Sequence, residues 1–205
     1  MIQKIKLLLI TISITVVLGS AHNNDVKVIY EREESTMKIG DLMDLLDIYN
    51  VNVKMVNKDF PEKEILIEEV LCKDGKFNRR ILNSMIPIRI DNDTLSIEFI
   101  SYAIENDSLI IKLKDPVSAI KYGVNIPTKN KLLIEYEGKS VYNQQDTIPV
   151  VVYSSGIPSE FIFMNQKAVS YNICGLRDSK ILPSDFYKEY GILDYLYYNV
   201  IIKDK

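Results

Sequence analysis

Ser118 and Lys121 stand three residues apart, the spacing at which a serine nucleophile meets a lysine base in S-x-x-K acyl-transfer chemistry. That chemistry needs both groups on one helical turn, whereas the residues that follow Pro116 favour a strand leaving a loop. Ser170-Tyr171-Asn172 supplies an S-x-N, but the chain has no K-[ST]-G to complete the set. Gly138-Lys139-Ser140 copies the end of a phosphate-binding loop, yet its first glycine would fall at Leu133, so the segment reads as a turn. The chain has one histidine, His22, which removes Ser-His-Asp and Cys-His catalysis and His-ligated zinc. A copper centre on His22 would need further nitrogen ligands that the chain lacks. Carboxylate chemistry survives this filter: 28 acidic residues admit a glycosidase with two acids flanking a sugar bond. Spacing singles out no pair.

Two cysteines, Cys72 and Cys174, fit no metal spacing. In an oxidising compartment an even count suggests a disulfide, and a loop of about a hundred residues closed this way stabilises by up to about 4.7 kcal/mol. The alternative is two small buried hydrophobes, since both lie in apolar, strand-like surroundings. Asp41, Asp44 and Asp47 share a helical face without other ligands, and the Asn-Asp turns lack the calcium-loop pattern. No metal or cofactor is expected.

The 13 tyrosines, with no Trp, are the main aromatic resource. Tyr187, Tyr190, Tyr195, Tyr197 and Tyr198 crowd the C-terminal end. Alternation places most of them in strand cores. On a simple strand, however, part of the set Tyr195, Tyr197 and Tyr198 must face outward, as a surface patch able to stack on sugars or dock a partner.

The elements that must position these groups are mostly strands. Val26, Val28 and Tyr30 mark a short one, and Ser35 or Thr36 opens an amphipathic helix through Ile39, Leu42, Met43, Leu45 and Leu46. From Asn50 the signal is β: Val51–Met55, then Ile65–Leu71 and Lys76–Leu82 joined by Asp74-Gly75, the pair a tight hairpin requires. An echo follows, in which Ile90–Ile97 and Ile104–Ile111 each carry an Asn-Asp turn into an alternating strand, a β-meander. Further strands are expected at Lys131–Tyr136, Thr147–Tyr153, Glu160–Met164, Ala168–Cys174 and Tyr195–Lys203. Ser184-Asp185-Phe186 after Pro183 starts a helical turn. The fold class is therefore mainly β, an antiparallel β-sandwich (immunoglobulin-like or related) preceded by a short β-α element.

The address of the chain lies in residues 1–21. Lys4 and Lys6 precede the apolar run Leu7–Val17, and Gly19-Ser20-Ala21 closes it with small residues, the layout of a cleaved export signal. The run is short for a membrane span, and no second one follows. The organisation expected is a signal peptide at 1–21, an acidic β-α element at 22–49 and a strand-rich body at 50–205, secreted or periplasmic. A net charge of −3 without a basic cluster disfavours nucleic acid. The reading that results is an exported, non-enzymatic module binding a protein or glycan partner at the cell envelope. A carboxylate hydrolase and a structural or inhibitory envelope component are the alternatives.

Overall fold

The computed structural model describes residues 25–31, 48–105, 107–143 and 147–205. The expected signal peptide, His22 and the helix expected after Ser35 lie outside the described residues. Within them the chain is mostly β, with antiparallel sheets and few helices. One sheet has six strands in the order β7 (Ala119–Asn125), β6 (Ser108–Lys114), β5 (Thr94–Glu105), β2 (Ile48–Val56), β1 (Asp25–Glu31) and β9 (Val141–Asn143). A second has five: β4 (Lys76–Ile81), β3 (Lys63–Lys73), β13 (Asp194–Asp204), β10 (Thr147–Ser154) and β8 (Leu132–Glu135). The third is a two-stranded hairpin, β11 (Ile157–Phe163) with β12 (Gln166–Asn172).

Alternation decides which residues face inward. In β5 the residues Leu95, Ile97 and Phe99 are buried, and in β6 Leu109, Ile111 and Leu113 are, while their sequence neighbours are more exposed. These side chains share one buried cluster with Ile65 and Ile67 of β3, Ile148 and Val150 of β10, and Tyr198 and Val200 of β13. The large sheets therefore contribute to one core. Asp74 and Gly75, at φ 47° and 72°, make the left-handed turn between β3 and β4 that their types call for. β5 and β6 are antiparallel neighbours, as the Asn-Asp echo implies, and β7, a strand the echo does not reach, pairs with β6. Ahead of β5 the Asn92 side chain accepts from the Thr94 amide at 3.0 Å.

β10 and β13 break the alternation, being buried almost throughout. They are interior strands of the five-stranded sheet, and the opposite face of that sheet is covered as well. A second cluster there joins Val70, Cys72, Val152, Tyr195 and Tyr197 to Leu176 and Phe186. Leu176 belongs to the short helix α1 (Ile173–Arg177), and Phe186 opens α2 (Phe186–Tyr190) after a 3-10 turn at Pro183–Asp185. The helical turn read from Ser184-Asp185-Phe186 is present.

This cover corrects the aromatic patch. Tyr195, Tyr197 and Tyr198 are 0%, 2% and 0% exposed. The expectation of an outward tyrosine assumed a strand with one solvated face, whereas β13 has none. The Tyr195 hydroxyl donates to the Pro183 carbonyl at 2.7 Å and that of Tyr198 to Glu69 Oε2 at 3.1 Å, so both of these buried phenols keep a partner.

The cysteines are corrected too. Cys72 is buried in β3 beside Tyr195, while Cys174 is exposed on α1, and both are free thiols. The strand expected to run through Cys174 ends at Asn172, whose side chain caps α1 by accepting from the Gly175 amide at 2.8 Å. That turn carries Cys174 out to solvent.

Candidate functional site

Two features stand out once the core is accounted for. The first is the β11–β12 hairpin. Met164 and Asn165, at φ 49° and 62°, form its two-residue turn, with Phe163 paired to Gln166. Beyond the pair itself its principal neighbour among the elements is α1. Gly156 anchors the base, since its φ of 96° and an approach that would put a Cβ 2.8 Å from the Asn172 backbone both require glycine. From that base the apolar residues lead into solvent. Phe161, Ile162, Phe163 and Met164 are 45%, 77%, 59% and 83% exposed. Phe161 and Phe163 point to one face, and Ile162 points to the other, beside Lys167. Lys167 and Glu160 lie 3.8 Å apart on that second face, both exposed, so the hairpin carries little net charge there.

The second feature is a cleft of about 990 Å³ at one end of the two large sheets. Its walls come from inner-face positions where the apolar rows stop: Tyr49 in β2, Ser101 and Ala103 in β5, and Tyr153 in β10. The loop Thr128–Lys131 closes one side. Ser101 is fully buried, and its Oγ has no hydrogen-bond partner. Lys131 is 9% exposed. Burial pushes its ammonium down to about 8, against the pull of Asp194 and Asp107. Asp107 is the one carboxylate among the lining residues. A smaller cleft of about 470 Å³ lies between the hairpin base and the loops that carry Lys131 and Asp194. It holds Glu160 and Asp194, of which Glu160 is exposed and ion-paired, so a buried carboxylate pair is not found in either cleft among the described residues.

The motifs that invited catalysis are committed to structure. Ser118 donates its hydroxyl to Asp115 Oδ2 at 2.8 Å in the turn before β7, and Lys121 lies over the Tyr102 ring at 5.5 Å. On a strand these two residues do not form a dyad. Lys139 rests over the Tyr142 ring at 4.9 Å in the link from β8 to β9. Among the described residues, no group of three or more His, Cys, Asp and Glu is placed to hold a metal, and no helix is long and apolar enough to cross a membrane.

Neither feature was singled out beforehand. Phe161, Ile162 and Phe163 carry the same pattern as a core strand, and the cleft gathers residues from four distant segments. Comparison with family models, characterised proteins and solved structures finds no match, so the functional reading rests on this geometry.

Proposed function

We propose that this chain is an exported, non-enzymatic β-sandwich, immunoglobulin-like or related, that docks onto a protein partner at the cell envelope through the β11–β12 hairpin. Residues 1–21 act as its cleaved leader in this reading. The observation that carries it is the tip Phe161-Ile162-Phe163-Met164, four apolar residues that run in solvent into a two-residue turn. A two-stranded hairpin is marginal in water by itself. Burial of each such side chain against a partner is worth roughly 1.5–3 kcal/mol, so an occupied tip stabilises both hairpin and complex.

The chemistry of the tip favours a protein groove. Ile162 and Met164 offer no hydrogen bond to a sugar hydroxyl, which argues against a glycan. The Glu160–Lys167 pair offers no excess positive charge to an anionic bilayer. The test is the double variant Ile162→Asp, Phe163→Asp, compared with the native chain for recovery of its envelope partner and for co-sedimentation with anionic vesicles. The expected result is an unchanged fold, loss of the partner and no vesicle binding by either form. Equal recovery by the variant, or vesicle binding by the native chain that the variant loses, would overturn the proposal. Intact mass of the exported protein tests the leader: it should begin at His22, and a retained Met1 would contradict export by cleavage.

A further inference from the structure

The larger cleft supports a separate conclusion, independent of the hairpin. Along the inner face of β5 the buried row Leu95, Ile97, Phe99 continues as Ser101 and Ala103. β2 changes likewise, from Met55, Val53 and Val51 to Tyr49. The core thus ends in small or hydroxyl-bearing side chains, and the space they leave is the cleft. Its volume suits a small molecule.

Two groups on its walls lack what burial normally demands. The Ser101 Oγ is buried on the cleft wall without a hydrogen-bond partner, an arrangement that costs free energy unless something supplies one. Lys131 is nine-tenths buried, and burial outweighs the attraction that Asp194 and Asp107 exert on its ammonium. An ammonium whose burial is only partly compensated gains from a closer anion. Tyr49 adds aromatic surface, and Ala103 and Ile104 add apolar surface. Asp107 at the exposed rim opposes a second negative charge. Among the described residues the cleft has no arginine, the residue whose fork suits phosphate best.

We infer that this cleft binds a small hydroxylated monocarboxylate of the sugar-acid class, with Lys131 meeting the carboxylate and Ser101 a hydroxyl. Tyr49 lies against the body of the ligand. A carboxylate neutralises Lys131, a sugar hydroxyl completes Ser101, and the single charge passes Asp107.

The experiment titrates the full exported chain with glucuronate, galacturonate and lactate, followed by amide chemical shifts. Glucose and inorganic phosphate serve as the neutral and the non-carboxylate probes. At least one hydroxy acid should bind saturably, with shifts centred on residues 101–103 and 128–131. Lys131→Met should weaken it at least tenfold, whereas Lys112→Met, on the exposed outer face of β6, should leave it unchanged. Ser101→Ala provides a readout that a packing role would not: the free protein should melt at the same temperature or higher, while affinity falls several-fold. Absence of saturable binding by all three acids would overturn the inference. So would equal binding of glucose or phosphate, or native affinity in a folded Lys131→Met variant.

Discussion

Raising the pH should unfold this protein through its buried tyrosines. Tyr136, Tyr195, Tyr197 and Tyr198 are all at most 2% exposed. Burial raises every one of these phenols above the ordinary value of 10.0: Tyr136 and Tyr197 go to about 12, and Tyr195 and Tyr198 are raised in the same direction. Above pH 10 the unfolded chain therefore releases phenolic protons that the folded chain keeps, and stability falls as pH rises. At about pH 11 a tyrosine that ionises only when unfolded disfavours folding by about 1.4 kcal/mol, and four together by roughly 6 kcal/mol. Set against a domain stability of about 5–15 kcal/mol, that is enough to bring on a transition. Tyr30 and Tyr122, also raised chiefly by burial, act in the same direction. The assay follows tyrosinate absorbance and far-ultraviolet circular dichroism through one alkaline titration. The expected result is a fraction of the tyrosines ionising normally, then a cooperative step in which the remainder ionise as the sheet signal collapses. Smooth ionisation of all 13 tyrosines near pH 10, with the sheets intact, would refute the burial of β13 on both faces.

Other perturbations probe separate parts of the structure. Phe186→Ala removes a ring packed against Tyr136, Tyr190 and Tyr195, at centroid distances of 6.2, 5.7 and 5.8 Å; it should destabilise by about 3–5 kcal/mol in urea unfolding. Gly156→Ala forces a Cβ against the Asn172 backbone and should cost about 1–3 kcal/mol, read in the same way. In the native protein a thiol reagent should label Cys174 and leave Cys72, whose thiol burial also pushes up; unfolding without reductant should expose two thiols, and finding none would restore the disulfide.

How much of this was legible depended on whether the cause was local. Asp74-Gly75 fixes its hairpin by its own backbone preferences, and Pro183 with Ser184, Asp185 and Phe186 announces a helical turn within four residues. The alternation Leu95, Ile97, Phe99 marks an inner face because β5 has one buried side. The tyrosines of β13 escaped because the second covering layer, Leu176 and Phe186, lies up to about twenty residues away along the chain. The hairpin escaped for the opposite reason. Phe161 and Phe163 alternate like core residues, and only the absence of anything packed over them distinguishes a tip from a core. Lys131 reads in sequence as the first residue of a strand; the fold brings Asp107 and Tyr153 into the same cleft and the Asp194 charge to bear on it.

Site-specific photo-crosslinking tests the central claim most directly. A photoreactive residue placed at Ile162, in cells that express the full chain, should form adducts with one envelope protein if the proposed function holds, whereas the same residue at Lys112 on the outer face of β6 should not. Lipid adducts at position 162, or an identical adduct pattern at both positions, would contradict the assignment of the hairpin as the docking element.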